Sequence, residues 1–210
     1  MSRSPAFAGI ILAAGESSRM GTDKALLPWP PQPAGGPSSG QTFLSAAIRS
    51  LSFSTDFVVV VAGANEAALT AVVYANGAFI VANPDPSRGQ FSSLQIGLHE
   101  VLNRGRDAAV ITLVDRPPAH GSTIEALRHT FEAAPQDIWA VVPEFSGQHG
   151  HPFIAGRELI EAFLRAPATA SAREVEHQYQ SNIHYVSVND PFVAMNVNTP
   201  EEYANLMAKA

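Results

Sequence analysis

The feature that most restricts how this chain can fold is a regular exchange between two hydrophobic periodicities. Short β-branched apolar runs, Phe7–Ala13, Phe57–Ala62, Phe79–Ala82, Ala108–Leu113 and Ile138–Val142, alternate with stretches whose apolar residues fall three and four apart, Thr42–Leu51, Asn65–Ala75, Ser92–Asn103 and Gly121–Ala133. A run that is apolar at nearly every position belongs to a strand covered on both faces, and parallel neighbours need a crossover between them, here a helix. Within Ser92–Asn103, the residues Leu94, Leu98, Val101 and Leu102 form one helical stripe. The pattern predicts an α/β fold: an open, twisted, mostly parallel sheet with helices on both sides. After residue 150 the alternation loosens into a strand at Pro152–Ala155, helices at Gly156–Arg165 and Arg173–Tyr179, a strand at Ile183–Val188 and a last helix at Thr199–Ala208. No repeat or linker divides the 210 residues, so one domain spanning 1–210 is expected.

Composition closes off several function classes. Without cysteine there is no disulfide framework, thiol nucleophile, Cys-ligated zinc or iron–sulfur cluster. A net charge of −6 and the lack of any Lys/Arg cluster argue against a nucleic-acid partner, which would demand a basic face. The longest apolar run, Phe57 to Ala64, is far shorter than the ~20 residues a bilayer requires, so no membrane partner is expected. Arg3 ahead of Phe7–Ala14 has the outline of a secretory signal, but Pro5 interrupts it and no cleavage site follows. A buried first strand and a cytoplasmic protein are the expectation. One low-complexity stretch, Pro28 to Gly40, is rich in Pro, Gly, Ser and Gln and is expected to be a mobile excursion, either a solvated surface loop or a flap over a site.

Ligands of open parallel sheets bind at the carboxyl ends of the strands, which narrows the search to a few loops. The first such loop reads Leu12, Ala13, Ala14, Gly15, then Ser17, Arg19, Met20, Gly21, Asp23 and Lys24. Small residues let backbone N–H groups approach a phosphate, and Arg19 and Lys24 add two cations. The glycine spacing is not that of a dinucleotide fingerprint, and the Gly-Lys-Ser/Thr of a Walker A loop is missing. By composition alone the segment fits a phosphate cradle and a plain small-residue loop equally well.

The complete run L-A-A-G-x-S-x-R-M-G-x-x-K resembles the signature of the MobA-like NTP transferases, nucleotidyltransferases within the broader group that makes sugar nucleotides. The resemblance implies a Rossmann-like, doubly wound, three-layer α/β/α fold of the nucleotide-diphospho-sugar transferase (GT-A-like) type. It continues along most of the chain. Gly89, Gln90, Phe91, Ser92, Ser93, Leu94 is similar to the family's G-x-x-x-S-L segment, and Asp115, Arg116, Pro117 to its D-x-P motif, whose Asp holds Mg²⁺. Gly150, His151, Pro152 resembles the G-H-P segment of the cytidylyltransferase branch. His149 and His151 lie one residue apart, so on a continuous strand they would share a face, yet no third metal ligand is evident. Near the end, Asn196 to Tyr203 aligns with the family's D-I-D-T-P-E-D-Y, with Asn196 and Asn198 replacing both aspartates. An asparagine oxygen can ligate Mg²⁺ but brings no charge, so the metal should lean more heavily on nucleotide phosphates.

What the resemblance implies is transfer of a nucleoside monophosphate from an NTP to a phosphorylated acceptor, with release of pyrophosphate. It assigns Arg19, Lys24 and Asp115 to catalysis and Asp115 with Asn198 to the metal. Nucleotide binding falls to Leu12, Ala13, Ala14, Gly15, Ala62, Gly63, Gly89, Ser92 and Ser93, and acceptor binding to His151. The base is expected against the end of the first strand and the loop at Ala62 and Gly63. Ala13-Ala14-Gly15, where the guanylyl branch carries two glycines, and Gly150-His151-Pro152 favour CTP over GTP, with molybdopterin as acceptor and a molybdoenzyme or cofactor-delivery protein as the implied partner. Two alternatives stand beside this reading: a sugar- or polyol-phosphate nucleotidyltransferase, and a nucleotide-binding protein that has lost transfer chemistry.

Overall fold

A computed structural model describes residues 4–15, 17, 19–31 and 40–206. Its strands are β1 (Phe7–Ala13), β2 (Phe57–Ala62), β3 (Phe79–Ala82), β4 (Ala108–Leu113), β5 (Ala140–Phe145), β6 (Gln148–His149), β7 (Phe153–Gly156) and β8 (Ile183–Ser187). The helices are α1 (Phe43–Ser52), α2 (Glu66–Ala75), α3 (Gln90–Asn103), α4 (Gly121–Ala133), α5 (Arg157–Arg165), α6 (Ala172–Gln178) and α7 (Pro200–Leu206). The strands form one sheet ordered β3-β2-β1-β4-β7-β5-β6, with β8 also on β5. β1 through β4 pair in parallel, while β7 runs antiparallel to both β4 and β5. Strand order reverses between β1 and β4, and that is where a crevice opens in a doubly wound sheet.

Alternation along the central strands sorts their side chains into two cores. Phe7, Ile11 and Ala13 of β1 join Val58, Val60 and Val110 under α1, α2 and α4; Ala8, Ile10 and Leu12 join Val59, Val61 and Ile111 under α3 and α5. Each strand therefore reads as unbroken apolar sequence because both of its faces are covered.

A third, smaller cluster holds the segment around Pro28. Trp29 meets Phe43 and Phe192 edge-on, with ring centres 5.2 and 5.8 Å apart, and Tyr203 Oη donates to the Pro28 carbonyl at 2.9 Å. The expected solvated excursion is thus corrected at its start, where aromatic packing and a bridge from Pro28 to Thr42 fix the chain. Residues 32–39 lie outside the described residues.

Several element boundaries also move. α3 begins at Gln90 with Gly89 at φ 89° as its N-cap, so Ser92 and Ser93 lie inside the first turn. β5 starts at Ala140 and runs on to Phe145, and the short β6 folds back on it. Among the described residues no helix is long and apolar enough to cross a membrane.

Candidate active site

A cavity of about 240 Å³ opens at the β1/β4 switch, lined by Leu12, Ala14, Gly15, Ser17, Lys24, Pro86, Gly89, Gln90, Ser93 and Leu113 to Asp115. Three of its walls come from loops that follow parallel strands, and the fourth is the start of α3.

The loop after β1 is held from below. Asn65 Nδ2 donates to the Ala13 carbonyl at 2.9 Å and to Asp23 Oδ2 at 2.7 Å, and Asn65 Oδ1 accepts from Gly63 N–H at 3.0 Å. Gly63 sits so close beneath Ala14 that a Cβ there would lie 2.8 Å from the Ala14 oxygen. Ala62 and Gly63 are both buried and do not line the cavity, which corrects their placement beside a base. Their contribution is a floor on which Ala14 and Gly15 stand.

Lys24 opens a short turn capped by Asp23, whose Oδ1 accepts from Ala25 N–H at 2.9 Å, while Lys24 N–H donates to Ser17 Oγ at 3.1 Å. That fixes the base of the side chain. Its Nζ then reaches across the cavity, donating to Asn198 Oδ1 at 2.8 Å and lying 3.7 Å from Asp115 Oδ2. Lys24, Asp115 and Asn198, far apart in sequence, meet at one point. Arg19 is exposed and does not line the cavity; Ala13 enters the network only through its carbonyl.

The approach of Asn198 is set by a seam between the end of β4 and the chain around Asp190–Asn198. Val197 N–H donates to the Asp115 carbonyl at 2.8 Å, and Arg116 Nη1 donates to the Val193 carbonyl at 2.9 Å. Asp190, 1% exposed, accepts from His120 N–H, Thr123 Oγ1 and Phe192 N–H, which ties this segment to the start of α4. A buried carboxylate satisfied by that many donors acts as a structural anchor. Of the two family aspartates replaced here, only position 198 is at the site, since Asn196 is exposed.

Gly89, Gln90 and Ser93 face the cavity, but Ser92 does not: its Oγ donates back to the Gly89 carbonyl at 2.8 Å. Asn83, after β3, donates to both Ser92 Oγ and Ser93 Oγ at 2.9 Å. Sequence reading missed Asn83 and Asn65. Each follows a parallel strand at its carboxyl end, and the rule that singled out Asp115 would have found them.

A second cavity of about 430 Å³ adjoins the first, sharing Leu12, Gly89, Gln90 and Leu113, and His151 lines it. His149 and His151 do not share a face, because the chain leaves β6 between them: His149 stacks on Tyr185 at 4.0 Å and pairs with Glu144, whereas His151 meets Phe153 edge-on. Among the described residues no group of three His, Cys, Asp or Glu side chains is placed to hold a metal. Burial, with the Arg116 charge nearby, pushes His151 from its ordinary value near 6.5 to about 3, and its Nδ1 is screened without a hydrogen-bond partner. It is therefore neutral at physiological pH and offers a hydrogen bond to a ligand, not a charge.

A stability consequence follows. Between pH 6.5 and 3 the unfolded chain takes up a proton at His151 that the folded chain refuses, so stability falls as pH falls through that window. One proton gives a slope of about 1.4 kcal/mol per pH unit. Urea unfolding midpoints for wild type and His151→Asn, measured across the window, should diverge, with the variant losing less stability in acid; parallel curves would show that His151 protonates freely in the folded state.

The chain matches a known family model across most of its length. The profile of the MobA-like NTP transferase domain matches residues 9–183. The chain belongs to this family. It is 31% identical to a probable molybdenum cofactor guanylyltransferase of Rhodopirellula baltica over 134 residues, 64% of this chain and 60% of that protein. It is 24% identical to the molybdenum cofactor cytidylyltransferase of Escherichia coli over 92% of both chains. In structure it is similar to the Rv0371c protein of Mycobacterium tuberculosis H37Rv, with 25% identity, a TM-score of 0.78 and coverage of 98% and 99% of the two chains. That protein has also been solved as a manganese complex, to which this chain is 22% identical at a TM-score of 0.75, covering 98% of this chain and 100% of that one. As a MobA-like NTP transferase, the chain carries the nucleotidyltransferase fold with the switch-point cavity open at its crest.

Proposed function

We propose that this MobA-like NTP transferase moves a nucleoside monophosphate from an NTP, with CTP preferred over GTP, to the phosphate of a molybdopterin acceptor in the presence of Mg²⁺. The observation that carries the reading is the meeting of Lys24, Asp115 and Asn198 opposite the Ala14–Gly15 backbone. In this reading the acceptor phosphate attacks the α-phosphorus, the bond to the bridging oxygen breaks, and pyrophosphate leaves with that oxygen. The nucleophile is already ionised, so no general base is required. Two repelling anions must instead be brought together, and that demands fixed positive charge and geometry.

Lys24 supplies that charge. The residue is held at both ends, by the Ser17 hydrogen bond at its backbone N–H and by Asn198 at its ammonium, which keeps that charge over the cavity. Asp115 and Asn198 suit a hard divalent cation: both present oxygen, and Asp115 Oδ1 is buried without a hydrogen-bond partner. When bound, Mg²⁺ would neutralise triphosphate charge and act as a Lewis acid on the phosphoryl group. With one carboxylate in place of two, such a cation would depend more on the nucleotide's own phosphates. Support for CTP rests on Ala14, whose methyl narrows the cavity where the guanylyl pattern has glycine, and on Gly150-His151-Pro152.

The test is pyrophosphate release from purified protein with Mg²⁺, molybdopterin and each of CTP, GTP, ATP and UTP, with sugar phosphates as control acceptors. CTP with molybdopterin should turn over fastest. Tight nucleotide binding with no release for any acceptor would assign the chain to a non-catalytic binding role, and release with sugar phosphates alone would replace the acceptor.

A further inference from the structure

The second cavity carries chemistry that the nucleotide reading leaves unused. Most of its wall is apolar, from Phe91, Leu94, Ile111, Leu113 and Phe153, and Arg88 stands beside the opening it shares with the first cavity. Besides Arg88, two charged residues, Arg173 and Glu176, line this cavity and not the first. They lie one helical turn apart on α6 and so point to the same side. The start of α6 is fixed by a capping box: Glu174 N–H donates to Ser171 Oγ at 3.2 Å, and Ser171 N–H to Glu174 Oε2 at 2.6 Å. Val175 between the pair is 5% exposed and packed in the core, so the helix cannot roll.

The Glu176 carboxylate makes no hydrogen bond to any described residue, although burial raises its pKa and only Arg173 pulls it back. A carboxylate partly withdrawn from water, one helical turn from a guanidinium and at the edge of an aromatic wall, asks for a partner with N–H donors. A polyol would set hydroxyls against Phe91, Leu94 and Phe153 with nothing to bond them, at about 1–3 kcal/mol for each one left unpaired. A flat heterocycle stacks on the same wall without that loss.

We propose that Glu176 and Arg173 are the specificity-determining pair of the acceptor site, reading one edge of a flat heterocycle: the carboxylate accepts an N–H and an adjacent amino group, and the guanidinium donates to the ring carbonyl. The class of acceptor is a fused 2-amino-4-oxo pyrimidine carrying a phosphate, with the phosphate toward Arg88 and the nucleotide cavity. This rests on the proposed transfer to a phosphorylated acceptor, which the acceptor-side assignment of His151 places in this cavity.

The probes are 6-hydroxymethylpterin and its matched lumazine, in which a carbonyl replaces the amino group, titrated into the protein by ligand fluorescence. Wild type should bind the pterin about tenfold more tightly than the lumazine, because the lumazine sets an oxygen against Glu176. Glu176→Gln should collapse that ratio, and Arg173→Ala should weaken both ligands. CTP binding by calorimetry should be unchanged in both variants, which shows that they fold. Equal affinities in wild type, or a ratio that survives Glu176→Gln, overturns the proposal. Either result with molybdopterin-dependent pyrophosphate release intact removes the pair alone, whereas discrimination without any such release removes the transferase reading and leaves the pair standing.

Discussion

Asp115→Ala is expected to lower kcat/KM for nucleotide transfer by about a thousandfold, roughly 4 kcal/mol of transition-state stabilisation, with little change in thermal stability. The asymmetry comes from its position. Asp115 lies past the last paired residue of β4, its carboxylate is partly open to solvent, and its ion pair with Lys24 is loose at 3.7 Å. Its backbone carbonyl, which holds Val197, survives the substitution. Folding therefore loses little, while the cavity loses the carboxylate that would face the metal. Mg²⁺-dependent CTP binding should disappear in the same variant; binding that persists at wild-type strength would place the metal elsewhere. Asn198→Asp is the complementary change. A second carboxylate beside Asp115 should tighten manganese binding to the nucleotide-free protein about tenfold, read from the ion's paramagnetic signal, because charge count sets affinity at such sites.

Gly150→Ala should damage the fold instead of the chemistry. A Cβ at this position would lie 2.1 Å from the Val193 oxygen and 2.5 Å from its carbonyl carbon, and both are backbone atoms. The approach cannot relax locally, since His151 N–H donates to that same oxygen at 2.9 Å, Gly150 N–H to the Pro143 carbonyl at 2.8 Å, and Arg116 Nη1 to Val193 as well. Overpacking against fixed backbone costs about 3 kcal/mol, which for a chain of this size lowers Tm by roughly 10 °C. Since Val193 belongs to the seam that delivers Asn198, the folded fraction should also bind nucleotide and metal more weakly. A melting curve that overlays wild type would mean that the seam is pliable.

Much of this architecture was legible because the rules involved are local. Phe7–Ala13, Phe57–Ala62, Phe79–Ala82 and Ala108–Leu113 are strands with the limits read from apolar runs, and Gly121–Ala133 is a helix with the limits read from its period. Leu12, Ala14, Gly15, Lys24, Gly89, Ser93 and Asp115 line one cavity, as the loop-after-strand rule anticipates. What misled was chemistry judged without neighbours. Ala62 and Gly63 have the smallness of a ligand loop, but that smallness serves the close approach of Ala14. Ser92 has the look of a ligand hydroxyl and spends its hydrogen bonds on Gly89 and Asn83. Pro28 and Trp29 have loop composition and are held by Phe43, Phe192 and Tyr203, a contact that joins distant segments.

The sequence by itself determined the layered α/β class, the family and the loop after β1 that lines the cavity, because periodicity and a dense motif are properties of neighbouring residues. Only the tertiary structure decided that Asn198 meets Lys24 and Asp115, that Asn196 does not, that His151 is neutral, and that Arg173 and Glu176 share a cavity with it. Each of these depends on the distance between groups far apart in the chain and on how much water lies between them, and sequence order fixes neither.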